Sequence, residues 1–364
     1  MISFARGIPG PDLLPTEEFS AAARRALERD GAAALNYGPP GGYGPLRRWI
    51  AERHDVEPER VLVTNGSLQG FNFLARHFAG RGARFLVEAP CYDRSLSILE
   101  RVGADAAAVP LGAEGLDAEA LAATLARGRP QALVYTIPTF QNPSGRTLSR
   151  ERRLRVLELA REHGALVVED DPYGLLRFEG EPLPTLFELA GGEGIVFLTS
   201  FSKTVAPGIR AGYLVLPAEL VGAIEGYALE NYVSPSMFVQ AALHEFVAEG
   251  GFERNLARTC AGLRLRRDAM LEALEREAPE GTAWSRPQGG YFLWLDFPPG
   301  VDAAELARRA AEAGVTFIKG ADFYLGPGGE RSARLAFSFA TPAEIAEGMA
   351  RLVALVREAL AVAA

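Results

Sequence analysis

Ile195-Val196-Phe197-Leu198-Thr199-Ser200-Phe201-Ser202-Lys203 is an apolar run that passes directly into two serines and a lysine. Its first half has the length and β-branched, aromatic content of a buried strand, so the polar residues fall where that strand ends. Lys203 is one of only two lysines in 364 residues, against 36 arginines. A chain that writes nearly all its positive charge as arginine has little use for a surface ammonium. Arginine stays protonated and cannot form a Schiff base, so chemistry that requires a primary amine requires lysine. Rarity alone leaves open that two lysines simply survived in an arginine-biased chain, and the neighbouring segments have to decide.

Outward from this stretch, short apolar runs alternate with helical segments between about Arg60 and Leu216. The strand candidates are Val61 to Thr64, Arg84 to Glu88, Ala106 to Leu111, Ala132 to Ile137, Ala165 to Glu169, Ile195 to Ser200 and Ala211 to Leu216. Helices between them start at polar residues such as Ser67, Asp117 and Ser149 and end at Gly80, Gly103, Gly128 and Gly164. This predicts an α/β fold whose large domain holds a mostly parallel seven-stranded sheet covered by helices on both faces. After about Ser236 long helices take over, at Met237 to Ala248 and Asn255 to Ala278. A smaller α+β unit follows, with strands at Thr282 to Ser285, Gly290 to Phe297, Val315 to Ile318 and Ala333 to Phe339, and helices at Asp302 to Ala313 and Thr341 to Ala361. The expected division is an N-terminal segment 1–30 packing on the small domain, a large domain 31–248, and a small C-terminal domain 249–364.

A hydrophobic content of 48% supports a sizeable core, and a net charge of −8 without any Lys/Arg run argues against nucleic acid as partner. Cys91 and Cys260 are far apart and suggest neither a disulfide framework nor a metal site. The first residues lack an apolar signal region, and no stretch of about 18 apolar residues appears. The expected location is cytoplasmic, away from membranes.

In open parallel sheets ligands bind beyond the carboxyl ends of the strands, so the residues there carry the chemistry. Five runs end in such residues: Asn65-Gly66-Ser67, Pro90-Cys91-Tyr92, Phe140-Gln141-Asn142-Pro143-Ser144-Gly145, Asp170-Asp171-Pro172-Tyr173, and Ser200-Phe201-Ser202-Lys203 with Arg210 seven residues on. Together they describe a ligand that is anionic, aromatic and reactive toward an amine. Each motif alone would pass for an ordinary turn, a helix start or a core aromatic.

The ordered set resembles the fold type I, class I/II aminotransferases, which use pyridoxal 5'-phosphate. The likeness runs from Tyr37-Gly38-Pro39 through Pro287-Gln288-Gly289-Gly290-Tyr291 to Arg334-Leu335-Ala336-Phe337-Ser338. Within the family the chain is most similar to the 2-aminoadipate aminotransferases and to the aminotransferase-like domains of GntR-type regulators. The resemblance implies that Lys203 joins the cofactor covalently and moves the substrate proton, while Asp170 holds the ring nitrogen protonated. Asn142 and Tyr173 would donate to the ring oxygen, and Tyr92 would stack on the ring. Gly66, Ser67 and Leu68, opening a helix, would face the phosphate with Ser200, Ser202 and Arg210. Tyr37 would reach that phosphate from the other subunit of a homodimer with shared sites, and Arg334, with Asn142 nearby, would hold the substrate carboxylate.

Relatives often carry Gly at the position of Arg6, Pro at that of Lys319 and Gln at that of Leu68. Arg6 is a candidate for binding an acidic substrate side chain, and equally for pointing into solvent. The implied reaction moves an amino group from an L-amino acid to a 2-oxo acid, 2-oxoglutarate foremost, in a ping-pong cycle. The rivals are another reaction of the same cofactor, such as β-lysis, racemisation or oxidation, and a sensing domain that binds the cofactor without turnover.

Overall fold

A computed structural model describes residues 1–128 and 131–363. Its centre is an eight-stranded sheet in the order Val61–Thr64, Gly212–Val215, Ile195–Ser200, Leu166–Asp170, Ala132–Thr136, Arg84–Ala89, Asp105–Gly112, Gly115–Leu116. The five strands from Ile195–Ser200 to Asp105–Gly112 are parallel to one another. Gly212–Val215 runs antiparallel to both of its neighbours. The reason is chain length: residues 201–211 are fewer than the dozen or so that a parallel crossover requires, so the chain turns back.

Alternate residues of each strand feed two cores. Leu133, Tyr135, Val168, Val196 and Leu198 belong to one, and Val134, Val167, Ile195 and Phe197 to the other. Burial on both faces is why these runs read as continuously apolar rather than alternating. The first core continues without a break into the C-terminal part, through Tyr291, Phe292, Leu293 and Leu335.

That part is built on a four-stranded antiparallel sheet, Ala283–Trp284, Phe292–Asp296, Ser332–Ala336, Ile318–Lys319. The long helix Gly251–Glu277 packs along the last helix, Pro342–Ala363.

Four details depart from the expectations. The sheet has eight strands rather than seven, because the chain doubles back after Leu111 and Gly112 to add Gly115–Leu116 at the edge. The run Val315 to Ile318 splits at Phe317: Val315–Thr316 pairs with Ile2–Ser3, and Ile318–Lys319 pairs with the strand that carries Arg334. Ser67 is the first helical residue, and the capping position belongs to Gly66 at φ 93°. The N-terminal segment is shared, since Ile2–Ser3 joins the C-terminal part while Thr16–Ala34 lies along Met237–Ala248.

Candidate active site

The strand Ile195–Ser200 ends in a single helical turn, Phe201–Thr204, where the Ser202 N–H donates to the Ser200 hydroxyl at 3.1 Å. This turn aims Lys203 into a cavity of about 220 Å³ lined by Ile8, Gly66, Tyr92, Asn142, Asp170, Tyr173 and other residues of the five strand ends. The ammonium donates to the Gly7 carbonyl at 2.5 Å and lies 5.3 Å from the centre of the Tyr291 ring. Burial pushes it down to about 8, and Arg334 and Arg210 push the same way while Asp170 opposes. A lysine so placed gives up its proton more readily than an ordinary lysine, and a nucleophilic amine must lose that proton.

Asp170 ends the neighbouring strand and is 5% exposed. One carboxylate oxygen, Oδ2, accepts from the Tyr135 hydroxyl at 2.7 Å, and that hydroxyl also bonds Ser95 Oγ at 2.9 Å. The other, Oδ1, is buried with no hydrogen-bond partner among the described residues. An orphaned carboxylate oxygen facing a cavity is costly unless a ligand supplies a donor. Burial raises this group to about 7; Tyr135 and Lys203 pull it down, and Asp171 pushes it up. Asp171 has a different occupation, since its carboxylate accepts from the Gly174 N–H at 2.9 Å and closes the turn.

Gly66, Ser67, Leu68, Ser200, Ser202 and Arg210 line the same cavity. The helix Ser67–Ala79 begins here, so its first backbone N–H groups face the space. Arg210 adopts a left-handed backbone and donates to Ser202 Oγ at 3.3 Å and to the Asn65 carbonyl at 3.0 Å. A Cβ on Gly66 would stand 2.7 Å from the Arg210 guanidinium, so only glycine lets the loop and the arginine close around a small anion.

Arg334 projects from Ser332–Ala336 on the C-terminal sheet. Its Nη1 donates to Asn142 Oδ1 and its Nη2 to the Ala5 carbonyl, each at 3.0 Å. The guanidinium is held between rings, 4.2 Å from the Phe292 centre and 5.0 Å from that of Phe323, and its buried Nε has no partner among the described residues.

The fold thus brings together Gly66, Ser67, Leu68, Tyr92, Asn142, Asp170, Tyr173, Ser200, Ser202, Lys203 and Arg210 around one cavity, with Arg334 bonded to Asn142 at its edge. Three other candidates lie outside the lining. Tyr37 is 80% exposed on its loop. Arg6 is exposed and stacks 5.2 Å from the Phe339 ring centre. Lys319 pairs with Asp322 on the surface, which removes it from the pocket. Sequence reasoning missed Tyr135 and Ser95 behind Asp170, and the strap Ala5–Gly7 whose carbonyls occupy Arg334 and Lys203. A tyrosine inside an otherwise aliphatic buried run is a signal in retrospect, because a buried hydroxyl needs a partner.

An anion cup, an orphaned carboxylate oxygen and an amine of lowered basicity along one cavity suit a phosphorylated aromatic aldehyde with a basic ring nitrogen. That set defines a pyridoxal-phosphate enzyme of fold type I. The family model "Aminotransferase class I and II" matches residues 8–352. A 2-aminoadipate transaminase of Thermus thermophilus is 41% identical over 97% of this chain and 89% of its own length. The HTH-type transcriptional regulator TauR of Rhodobacter capsulatus is 32% identical over 97% of this chain and 73% of its own. A crystal structure of an α-aminoadipate aminotransferase, also from Thermus thermophilus and complexed with N-(5'-phosphopyridoxyl)-L-leucine, superposes with a TM-score of 0.95. It is 39% identical, covering 100% of this chain and 93% of that one. The chain belongs to the class I and II aminotransferases and is a pyridoxal-phosphate-dependent transaminase.

Among the described residues no helix is long and apolar enough to cross a membrane.

Proposed function

We propose that this enzyme moves the amino group of an L-amino acid to 2-oxoglutarate in a ping-pong cycle, with Lys203, Asp170 and Arg334 as its working residues. The observation that carries the reading is the orphaned carboxylate of Asp170 and the Lys203 amine lining one cavity, with the Arg334 guanidinium bonded to Asn142 at its edge. Bound pyridoxal phosphate supplies a carbonyl that exchanges amines and a ring that accepts the electron pair left at the substrate α-carbon.

Everything else falls to the chain. Asp170 holds the proton on the ring nitrogen through Oδ1, with Tyr135 fixing the carboxylate's orientation. The helix start at Gly66–Leu68, Ser200, Ser202 and Arg210 bind the phosphate. Tyr92 covers the ring face, and Asn142 and Tyr173 donate to the ring oxygen. Arg334 grips the substrate α-carboxylate and so orients the α C–H bond. Lys203 would take that proton and return it to the cofactor's carbonyl carbon, on the other side of the transferred nitrogen.

Residues 31–248 act as the cofactor-binding unit, and 249–364 as the smaller unit that carries Arg334. The exposed Tyr37 suits a phosphate contact in the partner subunit of a homodimer, and the enzyme works in the cytoplasm. Arg6, exposed and next to the strap carbonyls, is the side chain available to meet an acidic side chain of the donor.

The test is to mix the holoenzyme with single amino acids in the absence of acceptor. One donor converts the cofactor band to the pyridoxamine form, 2-oxoglutarate restores it, and Lys203→Ala shows neither change. Conversion without recovery by any 2-oxo acid refutes the transfer. Equal use of acidic and neutral donors by wild type and Arg6→Ala removes Arg6 from the reading.

A further inference from the structure

One buried charge next to this site has no part in the scheme above. Glu88, near the end of Arg84–Ala89, is 3% exposed and lies behind the cavity wall rather than on it. Its Oε1 accepts from Thr136 Oγ1 at 2.5 Å, and both oxygens share the Ile137 N–H at 3.3 Å. Its Oε2 accepts from Gln141 Nε2 at 3.0 Å. The Gln141 amide cannot turn round, because Nε2 also donates to the Pro90 carbonyl at 2.8 Å while Oε1 accepts from the Ser144 N–H at 2.8 Å. Ile137 N–H and Gln141 Nε2 can only donate to Glu88, and the Thr136 hydroxyl can donate or accept. A carboxylate takes all three as donors, which suits it better than a protonated carboxyl whose hydrogen has Thr136 Oγ1 as its one acceptor.

Among the described residues no cation answers the charge. The titratable groups that face Glu88 from the neighbouring elements are Asp170 on the sheet and Cys91 on the following loop, and neither is positive. A buried carboxylate without a counter-ion destabilises the fold, so a chain selected for stability alone has reason to lose it.

Resting on the reading that the cofactor's ring nitrogen meets Asp170, we propose that Glu88 is a positioning residue of the cofactor site and a second anion behind Asp170. Its bonds tie together the two loops that carry Tyr92 and Asn142, through Pro90 and Gln141. Its charge adds to that of Asp170 in holding a proton on the bound cofactor. Burial pushes Glu88 up to about 7, donors from Thr136, Gln141 and Ile137 pull it down, and the Asp170 charge pushes it up again. That last effect is the mutual repulsion which a protonated ring nitrogen relieves for both groups at once.

Glu88→Gln separates charge from scaffold. The new amide donates to Thr136 Oγ1, and its oxygen accepts from Ile137 N–H and Gln141 Nε2, so the bonds persist while the charge goes. The apoprotein should melt no lower than wild-type apoprotein. The holoenzyme should release pyridoxal phosphate about tenfold more readily, and the pH midpoint of the cofactor's absorbance change should fall by about one unit. Glu88→Asp keeps the charge and loosens the bonds, so it should lower the melting temperature and leave that midpoint within a few tenths. A Glu88→Gln holoenzyme with wild-type affinity and midpoint overturns the proposal. So does a Glu88→Asp midpoint that falls by a full unit, which also decides the matter if the glutamine variant does not fold. Failure of wild-type protein to bind the cofactor at all would instead strike the underlying reading.

Discussion

Replacing Arg334 by lysine keeps a cation on the same strand and removes the features that make this arginine specific. The guanidinium lies between Phe292 and Phe323 and is fixed by bonds to Asn142 and the Ala5 carbonyl, so the face it shows a substrate is preset. A lysine ammonium presents one donor to a carboxylate in place of two parallel ones, losing a charged hydrogen bond of about 2 kcal/mol. It also loses ring stacking, about 1 kcal/mol in this desolvated setting. A loss of about 3 kcal/mol corresponds to about 150-fold in kcat/KM. The assay is the single-turnover reaction of holoenzyme with its best amino acid, followed by cofactor absorbance, beside the corresponding amine without a carboxyl group. The acid should lose about two orders of magnitude and the amine less than about threefold. An equal loss for both, or almost none for the acid, would refute the assignment of Arg334 to the α-carboxylate.

Capture of pyridoxal phosphate by apoprotein should accelerate as pH rises and level off above about 8, because the protonated amine is not a nucleophile and burial has lowered Lys203 to about 8. Stopped-flow absorbance between about pH 6 and 10 measures this, and a rise that continues toward the usual lysine range shows that the amine is not desolvated. The fully buried Arg153 donates to the Leu148, Pro138 and Pro184 carbonyls and to Thr139 Oγ1, and stands 3.9 Å from the buried Glu169. Burial raises Glu169 to about 8. Above that pH Arg153→Met leaves its charge with the Leu186 and Phe187 N–H groups alone and should cost about 3–5 kcal/mol in denaturant unfolding of the apoprotein; a cost below about 1 kcal/mol there would mean that Glu169 is not ionised.

Most of the sheet was legible because its strands are short apolar runs closed by polar residues, and a strand's end is where its side chains change character. Val61–Thr64 and Ile195–Ser200 stand where the pattern puts them. Gly115–Leu116 was invisible because two residues carry no period, and the split at Phe317 because one apolar run serves two different sheets. At the site, Lys203 and Asp170 follow apolar strands directly and could be read locally. Arg334 is one arginine among many and emerged only through resemblance. Tyr135 meets Ser95 and Asp170, and Glu88 meets Thr136 and Gln141, across elements far apart in sequence, and no local pattern announces a hydrogen bond that depends on which elements become neighbours.

The strap that crosses the site does so with its backbone, Ala5 and Gly7 offering carbonyls to Arg334 and Lys203. Main-chain contacts cannot be mutated away. The exposed side chain at position 6 is therefore free to drift while the two cations keep their partners, although Gly7 is not, since an added Cβ there would stand 2.7 Å from the Phe292 ring. Descendants of this chain can change diet by altering residue 6 without rebuilding the catalytic machinery beneath it.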